Sequence, residues 1–107
     1  MDTDVVVDHI RGHRRISTTD LQLAYSVVTR AELFSGANAH DRIRDLLDAM
    51  DEIPVDRAIA ESAGIIRHGH RIDLPDALIA ATAMILGVPL MTRNRRDFEG
   101  IKGLKLN

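Results

Sequence analysis

Residues 75–86 read PDALIAATAMIL, an apolar run whose only ionisable side chain is that of Asp76. Pro75 suits the first turn of a helix, and Gly87 comes where a helix commonly ends. Between them, apolar side chains occupy nearly every side of the predicted helix, so it needs cover from several directions. The pattern predicts a helix that is buried inside the protein.

Short apolar runs alternate with helical patterns along the rest of the chain. Alternation at these lengths predicts an α/β protein, with a parallel sheet and helices on both faces, because hairpin connections would be shorter. We predict strands at 21–28, 53–55, 88–92 and 104–106, and a polar loop at 93–97. We predict the other helices at 4–11 (ending before Gly12), 29–36, from Asn38 or His40 to Met50, and 57–69.

Two of these helices carry capping signals. Thr29-Arg30-Ala31-Glu32 matches a capping box, in which the Thr29 hydroxyl and the Glu32 carboxylate satisfy backbone donors at a helix start. Asp56 precedes an apolar run at helical spacing and predicts the N-cap of the next helix.

The composition restricts the class of protein. With 107 residues, 45% of them hydrophobic, the chain suits one compact domain over residues 1–107. It contains no cysteine, which excludes disulfides and thiolate metal sites. No apolar run reaches the roughly 18 to 20 residues of a membrane span, and the acidic start is unlike a secretory signal. We therefore expect a cytoplasmic protein without a membrane partner.

The charge pattern leaves two interpretations open. A formal net charge of −2 argues against bulk attraction of nucleic acid, but basic residues bunch at 11–15 and at 93–96. Each bunch is either a solvated surface or a set of phosphate contacts. His68 and His70, beside Arg67 and Arg71, are interpreted as a solvated cationic turn, since a histidine metal site usually has a third ligand.

The candidate site is a set of carboxylates that lie far apart in the chain. Ligands of a parallel α/β sheet bind beyond the carboxyl ends of its strands, where Glu32 and the loop from Asn94 to Asp97 are expected. Taken alone, Glu32 is explained by the capping box and Asp76 by the positive end of its helix. Taken together, several acids at one edge repel one another unless cations offset them, and such oxygen ligands suit Mg²⁺ or Mn²⁺. These ions can activate a water for attack on a phosphodiester.

Four segments follow one another along the chain: DTDVVVD at 2–8, SVVTRAEL at 26–33, PDALIAATA at 75–83 and TRNRRDF at 92–98. Together they resemble the successive motifs of PIN-domain ribonucleases, specifically the VapC-like toxins of toxin–antitoxin pairs. The resemblance implies a three-layer α/β/α PIN-like fold and Mg²⁺-dependent endonucleolytic cleavage of RNA, often tRNA or rRNA. It also implies a cognate antitoxin bound across the site and a homodimer.

The resemblance assigns roles at the matching positions. Asp2 matches the first metal-binding acid, Glu32 the second and Asp76 the third. The fourth ligand is either Asn94, where some members have an acid, or Asp97, binding directly or through water. The implied catalytic acids are therefore Asp2, Glu32, Asp76 and Asp97.

Residues around these acids receive supporting roles. Thr92 resembles the small hydroxyl residue that hydrogen-bonds within the acidic cluster, and Asp4 is a further supporting acid. Arg93, Arg95 and Arg96 are expected to contact RNA phosphates.

One departure from the family leaves alternatives open. Members usually begin with an apolar strand that leads into the first acid, whereas only Met1 precedes Asp2 here. We expect a truncated first strand and a poorly positioned Asp2, so a catalytically impaired PIN-like module that binds an antitoxin or RNA is a second hypothesis. A third is a haloacid-dehalogenase-like phosphohydrolase, suggested by DTDV at 2–5. Such enzymes also require a lysine and a later acidic pair. Here the only lysines, Lys102 and Lys105, lie at the extreme C-terminus, and no adjacent Asp-Asp pair occurs.

Overall fold

The computed structural model describes residues 1–10, 23–36 and 39–107. The basic run at 11–15, Gly12, and the start of the strand predicted at 21–28 lie outside these ranges. In chain order the elements are α1 (Thr3–Ile10), β1 (Ala24–Ser26), α2 (Val27–Gly36), α3 (His40–Asp48), β2 (Asp51–Ile53), α4 (Arg57–Gly69), α5 (Leu74–Leu86) and α6 (Arg95–Phe98).

The strands β1 and β2 pair in parallel, with Tyr25 opposite Glu52. A polar network joins them to α2: the Tyr25 hydroxyl donates to Glu52 at 3.0 Å, and Arg30 donates to both the Tyr25 oxygen and the Glu52 carboxylate. The strand β1 is shorter than the strand predicted at 21–28, and β2 is displaced from its predicted position. The strand expected at 53–55 lies at Asp51–Ile53, since Pro54 cannot donate to a ladder.

The helix after β1 begins two residues earlier than predicted, so the capping box is wrong. The Ser26 side chain accepts the backbone N–H of Val28 at 3.2 Å and serves as the cap of α2. Thr29 and Glu32 consequently lie inside the helix, and their side chains are available for contacts with other elements.

Helices cover the sheet from two sides, which gives the expected three layers. One core lies between α1, α2, α3 and β1 and is formed by Val6, Tyr25, Leu33, Ile43, Leu47 and Met50. A second core joins α4 and α5 to the C-terminal segment. It includes Ile59, Ala63, Ile66, Ile79, Ala80, Leu90, Phe98 and Ile101. The α/β class and the layer arrangement are confirmed.

The helix α5 is buried at its centre, where Ala77, Ile79 and Ala80 are at most 2% exposed. Small side chains there let α4 pack closely against it. Its last turn emerges from the core, with Ile85 47% exposed, and Gly87 ends the helix at a φ of 69° that suits glycine. The helix α4 begins as predicted, because the Asp56 carboxylate accepts the Ile59 N–H at 2.9 Å.

The C-terminal third differs from the predicted strands and loop. The strands expected at 88–92 and 104–106 are reduced to one parallel bridge between Leu90 and Leu106. A mostly apolar cavity of about 250 Å³ is lined both by residues of β1 and by Val88, Pro89 and Met91, and the sheet of the described residues consists of β1 and β2. Part of the loop expected at 93–97 is the short helix α6, anchored by Phe98, which is 1% exposed.

No helix in the described parts of the chain combines the length and apolar character that crossing a membrane requires.

Candidate active site

Asp2 lies at the start of α1 and is only 6% exposed. Its backbone N–H donates to the Met91 carbonyl at 2.8 Å. Its carboxylate accepts the Thr92 hydroxyl at 2.8 Å and the Thr3 N–H at 2.7 Å. The expectation that Asp2 is poorly positioned is therefore wrong, because three hydrogen bonds hold its backbone and side chain.

The environment of Asp2 favours the protonated carboxyl. Burial is the largest influence and raises the pKa of Asp2, and the neighbouring charges of Asp4 and Glu32 act in the same direction. The bond from Thr92 opposes this rise by stabilising the carboxylate. A cation near Asp2 would act in the same sense as Thr92.

Glu32 reaches the same region from α2. Its carboxylate accepts the Thr3 hydroxyl at 2.6 Å, so Thr3 contacts both of the first two acids, Asp2 through its backbone N–H and Glu32 through its hydroxyl. The buried hydroxyl of Thr29 lies 3.3 Å from that of Thr3. The two residues assigned to a capping box thus line the contact between α1 and α2.

Asp76 lies in the first turn of α5 and faces the other acids. Burial raises the pKa of Asp76 to about 6, and negative charges on four neighbouring carboxylates add to the rise. Those carboxylates belong to Asp2, Glu32, Asp73 and Asp97. Acids from four separate parts of the chain are therefore close enough to disfavour the charge of Asp76.

Asp97 completes this arrangement from α6. It lines an open cleft of about 550 Å³ together with Asp73 and Asp76. Asn94, the alternative fourth ligand, donates its side-chain amide to the Asp97 carboxylate at 2.6 Å. Asn94 therefore orients Asp97 in this structure.

The supporting residues take positions that the sequence leaves undefined. Asp4 lies close to Arg93, whose backbone N–H is 3.4 Å and whose Nε is 3.8 Å from the carboxylate. Arg95 donates to the Asn107 carbonyl at 3.1 Å, so it points toward the C-terminal residues. Arg96 is exposed.

The donor set fits a hard divalent cation in chemistry and in charge. Carboxylate oxygens are the ligands that Mg²⁺ and Mn²⁺ prefer, and a cation would offset the negative charges that, after burial, contribute to the raised pKa of Asp76. Within residues 1–10, 23–36 and 39–107, however, no three His, Cys, Asp or Glu side chains converge closely enough to hold one ion. Binding through retained waters, as Mg²⁺ commonly does, tolerates this separation.

Two residues of the site are not identified from the sequence. Thr3 is one, and its hydroxyl contact with Glu32 depends on how α1 packs against α2. Asp73 is the other, and it stands at the N-cap of α5 without a side-chain cap bond. A signal for Asp73 exists, because an acid just before Leu-Pro is typical of a helix start.

Comparison with known proteins decides the family. Residues 1–104 match the model described as "PIN domain". The chain belongs to the PIN-domain family. This assignment excludes the haloacid-dehalogenase-like alternative.

Relatives cover nearly the whole of this PIN domain. It is 35% identical to "Ribonuclease VapC10" of Mycobacterium tuberculosis, over 98% of this chain and 89% of the relative. It is 31% identical to "Ribonuclease VapC1" of Methanocaldococcus jannaschii, over 99% and 84%.

Solved structures share the fold of the PIN domain. A toxin–antitoxin complex from Klebsiella pneumoniae matches with a TM-score of 0.82 and 33% identity, over 96% of this chain and 92% of the other. VapBC2 from Rickettsia felis bound to a promoter DNA fragment matches with a TM-score of 0.82 at 22% identity, over 98% and 93%, and supports the fold alone.

Proposed function

We propose that this PIN domain, with residues 1–107 forming one unit, is a Mg²⁺-dependent endoribonuclease and the toxin of a toxin–antitoxin pair. The observation that carries the proposal is the approach of Asp2, Glu32, Asp76 and Asp97 from four elements, where burial first and the neighbouring negative charges second raise the pKa of Asp76 to about 6. Without a bound cation, such a cluster of carboxylates destabilises the fold. Perturbed carboxylates that gather in a cleft are typical of functional sites. Relatives named ribonucleases support RNA as the substrate.

In the proposed site, Asp2, Glu32, Asp76 and Asp97 hold the metal, and Mn²⁺ substitutes for Mg²⁺. Thr92 keeps Asp2 oriented, Thr3 does the same for Glu32, and Asn94 for Asp97. When bound, the ion supplies an activated water and stabilises the leaving oxygen of the phosphodiester. The chain's own contribution is to fix the acids in advance, so that little reorganisation accompanies the reaction.

The partners belong to the same proposal. A toxin–antitoxin complex among the similar structures supports a protein antitoxin that covers the site. A homodimer is proposed from the family resemblance. Because a toxin that cuts cellular RNA must share the compartment of its substrate, the proposed location is the cytoplasm.

The decisive experiment is cleavage of total RNA by the purified protein with Mg²⁺, Mn²⁺ or EDTA. We expect cleavage with either metal and none with EDTA. Asp76→Asn should abolish cleavage while circular dichroism shows an unchanged fold. The matched control is Asp45→Asn, which removes one exposed carboxylate of α3, outside the cleft, and should cleave like the wild type.

A second candidate is a non-catalytic module of the same fold that binds an antitoxin or RNA. It is favoured by one observation, namely that no three acids of the described ranges already meet in one ligand shell. A folded wild-type protein that leaves total RNA intact with both Mg²⁺ and Mn²⁺ would favour this module over the enzyme.

A further inference from the structure

We propose that Arg67 and Arg71 form a phosphate-binding wall of the cleft, which holds the RNA backbone beside the bond to be cut. This inference rests on the proposed function. It names the residues that hold the substrate, whereas the carboxylates described above act on it.

The cleft of about 550 Å³ has walls of opposite charge. Asp73, Asp76 and Asp97 line one side, while Arg67 and Arg71 belong to the end of α4 and the turn that follows it. RNA carries a negative charge at every phosphate, so the acidic wall repels each phosphate except one that contacts a metal ion. Affinity for the rest of the backbone has to come from cations nearby.

Arg67 and Arg71 are suited to supply this affinity for the RNA backbone. Both are exposed, and within the described ranges neither makes a hydrogen bond or ion pair, whereas Arg30 pairs with Glu52. A position in the last turn of α4 lets Arg67 complement the helix dipole, but Arg71 lies beyond the helix and has no such role. The planar guanidinium group matches phosphate oxygens with paired donors.

The turn that carries Arg71 is anchored to the acidic wall. The His70 ring lies 3.0 Å from the Ile66 carbonyl through Nδ1 and 3.0 Å from the Gly100 carbonyl through Nε2. Ile72 is buried at 9% exposure, and its N–H donates to the His70 carbonyl at 3.1 Å. His70 is therefore not part of a freely solvated turn, because it ties the end of α4 to the segment that follows α6. The backbone at Arg71 is thus held near the acids, so only the side chain of Arg71 has to become ordered when phosphate binds.

Two of the three arginines predicted to contact RNA are less available. Arg93 lies beside Asp4, and Arg95 donates to the Asn107 carbonyl. The loop at 93–96 is therefore partly engaged within the protein, and the cationic wall at α4 is the surface that faces the cleft.

The test measures binding separately from cleavage. Fluorescence anisotropy follows a labelled single-stranded RNA in Ca²⁺, with a gel after each titration to show that the RNA is intact. We expect Arg67→Ala and Arg71→Ala each to raise Kd about fivefold to tenfold and to lower the slope of log Kd against log salt by about 0.7. The matched control is Arg57→Ala, at the opposite end of α4 and outside the cleft, with wild-type binding expected.

Three further results decide the proposal. The variants should lose affinity for a single-stranded DNA of the same sequence by the same factor as for RNA, because a phosphate contact does not distinguish RNA from DNA by the 2′-hydroxyl. In Mg²⁺ the variants should raise KM and leave kcat within about twofold, as expected for uniform binding. The inference is overturned if the wild type does not bind RNA, if the double variant Arg67→Ala/Arg71→Ala binds RNA like the wild type, or if the variants weaken the binding of RNA but not that of DNA. A double variant with wild-type RNA binding would instead assign the two arginines to contact with a protein partner.

The proposed function fails by a different result, namely a wild type that does not cleave RNA with Mg²⁺ or Mn²⁺. In that case RNA binding that depends on Arg67 and Arg71 would still support the basic wall.

Discussion

Replacing Asp76 by Asn should stabilise the protein at neutral pH while it abolishes the proposed activity. The native pKa of Asp76, about 6, exceeds its ordinary value of 3.8, so the native state prefers the protonated acid. The stability that this group contributes is fully present below pH 3.8 and is lost as the pH rises through about 6. At neutral pH the charged carboxylate therefore weakens the fold.

The magnitude follows from that pKa difference. At 1.36 kcal/mol per pKa unit, the difference corresponds to at most about 3 kcal/mol, and solvent in the open cleft reduces this to about 1–2 kcal/mol. For a domain of this size, such a gain raises Tm by about 5–10 °C. Asn has nearly the same shape as Asp and cannot ionise, so it removes both the cost of burying a charge and the repulsion from neighbouring acids while it keeps the packing.

The assay is thermal unfolding of wild type and Asp76→Asn from pH 4 to pH 8 in EDTA. We expect similar Tm values at pH 4 and a difference that grows between pH 5 and pH 7. Adding Mg²⁺ should raise Tm of the wild type more than that of the variant, because the ion offsets the same charges.

The control for this series is Asp45→Asn, whose exposed carboxylate belongs to the surface of α3. Its Tm should follow that of the wild type at every pH. An Asp76→Asn protein that melts at or below the wild type from pH 4 to pH 8 would refute the idea that burial and neighbouring acids disfavour the charged carboxylate of Asp76.

Two other predictions test neighbouring features. Thr92→Val keeps the shape of a buried side chain but removes the donor to Asp2, so we expect a loss of about 1–2 kcal/mol in urea unfolding and weaker Mn²⁺ binding. Mn²⁺ affinity equal to that of the wild type would show that Thr92 does not orient Asp2. Four or five apolar, β-forming residues fused ahead of Met1 should enter the cavity between β1 and Pro89 and raise Tm by burying apolar surface. An unchanged Tm would contradict this.

Local patterns in the sequence predicted much of the fold. The start of α4 follows from Asp56, and the end of α5 follows from Gly87, since caps depend on a few adjacent residues. The capping box at Thr29 failed for the opposite reason. Ser26 competes for the same role three residues earlier, and the choice between them depends on where the paired strand ends.

The candidate acids were assigned from the resemblance to PIN-domain ribonucleases, whereas their hydrogen bonds to other residues could not be predicted from the sequence. Thr92 and Asp2 are 90 positions apart, and their hydrogen bond exists because Asp2 joins the backbone at Met91. The contact of Thr3 with Glu32 likewise depends on the packing of two helices.

The amino-acid sequence by itself determined the buried helix and the alternating elements, because each is encoded by spacing within one segment. Only the tertiary structure decided that Asn94 orients Asp97, that Asp2 is firmly held, and that Arg67 and Arg71 share a cleft with Asp76. The physical reason is that charge repulsion and hydrogen bonding act over a few ångströms in space, whatever the separation along the chain.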